Sequence, residues 1–423
     1  MKSAYAVSLA ALVTLALASP VAAKAPSEKV LATLANVGSV PWAGLVADKS
    51  GALYGTATGF NTREHKGCGN VFQLTPPTGT GQPWTYSVLH SFVLGTSDGC
   101  GPFAALIVDP SGTLYGTTNS GGATWGGTVF SLTPPAAGST SWTETLLFQF
   151  HNDTPFAPVL RDASGVLFGT TFWGGIGRGS VFELVPPAQG QTNWTRTILY
   201  SFQGGADGQG PDAGLVKDAT GAFYGTTYYG GTGTNCSGGQ GCGTVFELMP
   251  PAAGQTAWTE TVLYTFTGGT DGGAPYAGLT LDKSGALYGD TEFGGDPDVN
   301  GGVIFKLTPP GAGQTSWTES VIHTFEGPDG ASPKDSLIID ASGALLGTTY
   351  GGGELNKGTV FQLSPPAGGQ TAWTETVLHS FAGNPRDGEN PIGGVIRNAA
   401  HDLFGTTSTG GKSRGGTVFE VTP

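Results

Sequence analysis

The sequence predicts an all-β fold, a seven-bladed β-propeller with four antiparallel strands per blade and a last blade closed by an N-terminal strand. Three observations carry this: one phrase recurs seven times, each copy holds strand-length segments, and the strand missing from the last copy stands at the other end of the chain.

The repeat is clearest in its fourth copy, where "GPDAGLVKDATGAFYGTTYYGG" precedes "CGTVFELMPP" and "AWTETVLYTF". The glycine of its "LYGTT" element falls at Gly55, Gly116, Gly169, Gly225, Gly289, Gly347 and Gly405, so the copies are 53 to 64 residues apart. This exceeds the roughly 40–45 residues of a WD40 blade, and the variation falls in glycine-rich connections, where insertions are tolerated. Glycine and proline number 73 and 28 among 423 residues, a content that without such a period indicates low complexity.

Each of the first six copies carries four strands rich in β-branched and aromatic residues, here lettered a to d. In the fourth copy strand a is expected at about 213–218 and strand b at 222–227. The turn between them starts at Asp218, whose side chain can accept backbone amides, and ends at Gly221 in the left-handed conformation. Six copies have this aspartate, at Asp48, Asp109, Asp162, Asp218, Asp282 and Asp340, and the seventh has Asn398, which can make the same bond. Strand c, at 243–248, is stopped by Pro250 and Pro251, which lack ladder donors, and strand d follows at 258–266. Phe72, Phe130, Phe182, Phe246, Phe305, Phe361 and Phe419 form one strand c column, read as core between blades. Trp84, Trp142, Trp194, Trp258, Trp317 and Trp373 open strand d at the outer rim and are also read as structural.

The last copy ends at "GTVFEVTP", its strand c, without a counterpart of "WTETVLYTF". Residues 28–34, "EKVLATL", align position by position with 260–266, "ETVLYTF". The N-terminus is therefore expected to supply strand d of the seventh blade and leave no open sheet edge.

Before that segment, Lys2, an apolar run over 7–18 and the small residues Val21, Ala22 and Ala23 read as a signal peptide over residues 1–23, leaving 24–423 for the propeller. No other stretch approaches the ~18 apolar residues of a bilayer span, so a secreted or periplasmic protein without membrane insertion is expected, and a monomer. The net charge of −13, from 18 basic and 31 acidic residues, argues against nucleic acid as a partner.

Four cysteines in an exported chain suggest two disulfides. Cys236 and Cys242 share a b-to-c loop. Cys68 and Cys100 lie in a b-to-c loop and the following d-to-a connection, which emerge on the same face of neighbouring blades. The pairs Cys68–Cys100 and Cys236–Cys242 are expected, and no metal site, because the cysteine spacing is not that of zinc ligands. His90, His323 and His379 occupy the strand d column that holds Tyr200 and Tyr264 elsewhere, a packing position. No Ser-His-Asp spacing, "HExxH", phosphate loop or dinucleotide glycine motif is present.

Shared residues build the blades, so function is sought where one copy departs from the others. The residue that opens strand a is Trp42, Phe103, Phe156, Asp212, Tyr276, Lys334 and Ile392 in turn, a column that would ring the mouth of the central channel. The residues after "GTT" add Phe172, Trp173, Tyr228, Tyr229, Phe293 and Tyr350, with Trp125 in a nearby loop. Aromatic faces beside acids and amides suit carbohydrate, and Trp42, Phe103, Phe156, Trp173, Tyr229, Tyr276 and Lys334 are the candidate ligand-binding residues. The competing reading is that these rings fill gaps between blades. Charges depart from the pattern in the fourth to sixth blades: Asp212 and Lys334 replace aromatics, Asp335 replaces alanine, Asp290 replaces threonine, and Glu292 follows. Asp212, Asp290, Glu292 and Asp335 are candidate acid and base groups for glycoside cleavage, or else a salt-bridged rim. The "DG" loops at Asp98, Asp207, Asp271, Asp329 and Asp387 admit calcium as a cofactor, although Asp-Gly is first a turn signal.

Together, "GTVFxLTPP", "WTETVLYTF", "GGxDGxxPxAGL" and "GxLYGTT" resemble the GloVer-type tandem repeat of bacterial "choice-of-anchor" exported proteins, over essentially all of the chain beyond the leader. The resemblance implies export and this fold and assigns no site residue. The expected function is an exported scaffold that binds a glycan or another envelope or extracellular ligand on its loop-rich face. The alternatives are a carbohydrate-active hydrolase or lyase using the channel-mouth carboxylates, and a structural module for a protein partner.

Overall fold

The computed structural model describes residues 26–34, 40–59, 61–62, 65–79, 81–93 and 97–423; the expected leader over residues 1–23 lies outside them. Seven antiparallel sheets form the blades of a propeller. In blade 4 the strands are Val216–Lys217, Phe223–Thr227, Thr244–Met249 and Thr259–Thr265, hydrogen-bonded in that order from a to d. Strand a is shorter than the sequence suggested. The backbone before it is bound from the side, the Ala213 carbonyl accepting the Thr170 hydroxyl of blade 3 at 3.0 Å.

Blade 7 closes as expected. Ser27–Thr33 pairs with Thr417–Thr422, from Ser27 opposite Thr422 to Thr33 opposite Thr417. Strand d of blade 4 carries a bulge opposite the step from Val245 to Phe246, and the N-terminal strand repeats it between Val30 and Ala32. A bulge sharpens local twist, so its return in the closing strand shows that this segment fits as a native strand d.

Seams between blades are aromatic. Phe150, Phe202, Phe266, Phe325 and Phe381 of strand d each meet the strand c phenylalanine of the next blade edge-on, with ring centres 5.1 to 5.3 Å apart. Phe92 meets Phe130 in the same way. At the last seam Leu34 replaces phenylalanine and packs in one cluster with Phe72. The "LYGTT" glycines follow from this packing, since a Cβ on Gly225 would lie 2.6 Å from Phe246 Cζ. The tryptophans of strand d pack at the edges of the same clusters, as in Trp317 against Tyr224.

Each a-to-b turn is built as its sequence implies. Asp218 Oδ1 accepts the amides of Thr220 and Ala222 at 2.9 and 3.0 Å, and Gly221 takes φ +93°. In blade 7 Asn398 Oδ1 accepts the Asp402 amide at 2.9 Å, and His401 holds the left-handed place with φ +75°. Cys68–Cys100 and Cys236–Cys242 are both bonded. Cys68 lies inside strand His65–Thr75 rather than in a loop, because blade 1 extends strand c into an added hairpin with Asn61–Thr62. Among the described residues no helix is long and apolar enough to cross a membrane.

Candidate functional site

Strand a is the innermost strand of each blade, so the residues that open it converge on the axis. All seven of them, Trp42, Phe103, Phe156, Asp212, Tyr276, Lys334 and Ile392, line one cavity of about 290 Å³, together with Asp335. A second cavity of about 250 Å³ shares Trp42, Tyr276, Lys334 and Ile392 and adds Tyr350, Ser408 and Thr409 of the b-to-c side. The two form a throat and its outer cup.

One side of the throat is aromatic. Trp42 stands edge-on to Phe103 with centres 5.2 Å apart, Phe103 to Phe156 at 5.8 Å, and Phe156 to Phe172 at 5.7 Å. Trp42 Nε1 is shut off from water and has no hydrogen-bond partner.

The other side is charged. Lys334 Nζ donates to Glu292 Oε1 at 2.6 Å and sits over the rings of Tyr276 and Tyr350, 5.4 and 5.0 Å from their centres. Tyr228 donates to the other Glu292 oxygen at 2.8 Å. Burial pushes the Asp212 carboxyl up to about 7, the Glu292 charge adding to the effect and Lys334 opposing it.

The four candidate carboxyl groups thus have different settings. Asp212 and Asp335 line the throat. Glu292 is clamped as an ion by Lys334 and Tyr228. Asp335 accepts the Ser336 amide at 2.7 Å and, in blade 7, the amide of Gly394, which pins two blades together. Asp290 is 1 % exposed with neither oxygen partnered, and burial, with the charges of Asp335 and Glu292 adding to it, pushes its carboxyl well above the usual carboxylate range.

Two candidate ligand residues stand apart from the throat. Trp173 is 49 % exposed and touches the throat's aromatic arc through Phe172. Tyr229 lines a separate cavity with Tyr228, Cys236 and Phe293. Sequence reasoning had Tyr228 and Tyr350 among the rings after "GTT" and missed their role as supports of Glu292 and Lys334. The signal was that both charges occur in adjacent blades, beside those rings.

The "DG" aspartates are anchored within their own blades. Asp207 accepts the Tyr200 hydroxyl at 2.6 Å, Asp271 that of Tyr264 at 3.0 Å, and Asp329 faces His323 Nε2 at 3.0 Å.

Several solved structures share this fold. An ulvan lyase solved with a saccharide bound has a TM-score of 0.54 at 10 % identity, covering 93 % of this chain and 94 % of that one. The GH93 α-L-arabinofuranosidase of Fusarium graminearum has 0.43 at 12 %, covering 81 % and 97 %. A chain of a nidogen/laminin complex has 0.40 at 12 %, covering 70 % and 84 %. These are likenesses of fold alone. No curated protein matches the sequence. The family model described as the Gloeobacter/Verrucomicrobia repeat matches residues 27–236 and 232–423. With two copies of that model spanning its seven blades, the chain belongs to the Gloeobacter/Verrucomicrobia repeat family.

Proposed function

We propose that this protein is an exported binding scaffold that takes a glycan at the mouth of the propeller channel. The observation that carries the reading is the convergence of all seven strand-a openers on one throat, aromatic on one side and hydrogen-bonding on the other. Rings stack on sugar C–H faces, while carboxylates and amides take hydroxyls. A throat of about 290 Å³ lies at the small end of ligand sites, which suits the end of a saccharide more than the middle of a long chain. Two disulfides agree with an oxidising compartment, outside the cytoplasm.

A glycan array probed with the full propeller tests this. The expected result is a defined set of saccharides whose binding falls about tenfold in Tyr276→Ala, the loss of one stacked ring. Equal binding by that variant and by Phe103→Ala would overturn the assignment.

One observation favours a second reading. Asp212, an acid held at about 7 beside the fixed charge of Glu292, has the character of a proton donor to a glycosidic oxygen. Cleavage of a bound saccharide that stops in Asp212→Asn, with binding retained, would make the protein an enzyme. A binder leaves its saccharide intact.

A further inference from the structure

The seams between blades repeat one polar arrangement on their outer part. A strand d glutamate, at Glu144, Glu260, Glu319, Glu375 and, in the closing strand, Glu28, neighbours the "DG" aspartate of the preceding blade. That aspartate is bonded in turn to a tyrosine or histidine of its own strand d. At the seam between blades 6 and 7 the three residues are Glu28, His379 and Asp387.

This seam differs from the rest. Among the described residues, Glu28, His379 and Asp387 are the one group of three histidine, cysteine or acidic side chains whose donor atoms all lie within 4.8 Å of one another. His379 Nε2 is 3.2 Å from Asp387 Oδ1. Ligand atoms about 2.0–2.1 Å from a tetrahedral zinc ion stand about 3.3 Å apart, so this edge already has the required length. Glu28 Oε1 is shut off from solvent without a hydrogen-bond partner, as are the same oxygens of Glu260, Glu319 and Glu375. Only at this seam, among the described residues, do the three donor groups draw together closely enough to share an ion. The three ligands come from three segments: the N-terminal strand, strand d of blade 6 and the loop leaving it.

We infer that Glu28, His379 and Asp387 form a binding site for a zinc-class divalent cation that staples the N-terminal strand into the ring. One imidazole nitrogen with two carboxylates suits zinc better than calcium, which prefers an all-oxygen shell. Metal at Nε2 takes the place of the proton that His379 shares with Asp387, so the imidazole binds as the Nδ1–H tautomer. Because the ligands come together only when the strand docks, metal binding and ring closure are one equilibrium.

The repeat supplies the control. Blades 3 and 4 carry Tyr200 and Tyr264 where blade 6 has His379, with the same hydrogen bond to the loop aspartate. His379→Tyr therefore removes the nitrogen ligand with a residue that this position already accepts. The full chain, without a polyhistidine tag, is stripped with chelator, titrated with Zn²⁺, and followed by metal analysis and thermal unfolding. The expected result is one tightly held zinc per chain and a midpoint that rises with zinc, both lost in His379→Tyr and in Glu28→Gln, while the metal-free His379→Tyr chain unfolds cooperatively. No zinc uptake by the wild type, or uptake by His379→Tyr equal to that of the wild type, overturns the site and leaves the seam held by protons alone.

Discussion

The joint between blades 4 and 5 and the joint between blades 5 and 6 use the same position in opposite ways. At the first, the Thr226 hydroxyl donates to the Ala277 carbonyl at 3.0 Å. Five other blades make the same bond, from Thr56, Thr117, Thr170, Thr348 and Thr406 at 2.8 to 3.1 Å. At the second joint Asp290 stands in place of threonine, and the facing residue of blade 6 is Asp335 in place of alanine. Neither Asp290 oxygen has a partner, and burial pushes its carboxyl well above the usual carboxylate range. Six joints are built for stability, and the seventh gives some of it up next to the throat. Departures of this kind, where local rules are broken without structural gain, mark the part of a scaffold shaped by something other than folding.

The comparison breaks most sharply if a regular joint is given the irregular residue. Thr226→Asp removes a donor and buries a carboxyl group without the neighbours of blade 5, so a loss of about 3 kcal/mol is expected in urea unfolding. The reverse change, Asp290→Thr, restores the hydroxyl donor and is expected to stabilise by about 2 kcal/mol at pH 7. Its sign depends on pH. The folded pKa of Asp290 lies well above the usual carboxylate value, so its contribution to stability is complete below the unfolded pKa of about 3.9 and is lost as pH rises toward the folded pKa. The advantage of Asp290→Thr should therefore grow from pH 4 upward and shrink toward pH 3. A gain that does not vary with pH would mean that Asp290 is not a buried neutral acid. The smallest effect concerns the turn in which His401 holds φ +75° where its counterparts are glycine, for example Gly221 at +93°. His401→Gly should stabilise by about 1 kcal/mol, against a loss for Gly221→His.

Most of the fold was legible because seven copies of one sentence reinforce each other. The aspartate turn, the phenylalanine column and the closing strand follow from residues that recur in register, and Leu34 could be assigned to a phenylalanine position before any contact was known. The disulfide Cys68–Cys100 followed from which connections share a face. Strand a was read too long, since its backbone is bonded partly by threonines of the neighbouring blade, which no single-strand pattern reports. The throat was legible as a column because strand a must face the axis. Trp173 and Tyr229 stand beside the throat rather than in it, Trp173 touching its aromatic arc through Phe172 and Tyr229 lining a neighbouring cavity, a difference that the column alone does not report. The Glu292–Lys334 pair and the reach of Asp335 to Gly394 join residues of different blades, and nothing in one repeat announces them.

A crystal structure of the propeller with the strongest saccharide from an array tests the division between scaffold and site most directly. The expected result is a sugar ring in the throat, stacked on Trp42, Phe103 or Tyr276, with a hydroxyl against Asp212. A saccharide seated on the opposite face, among the aspartate turns, with the throat left to water, would contradict it.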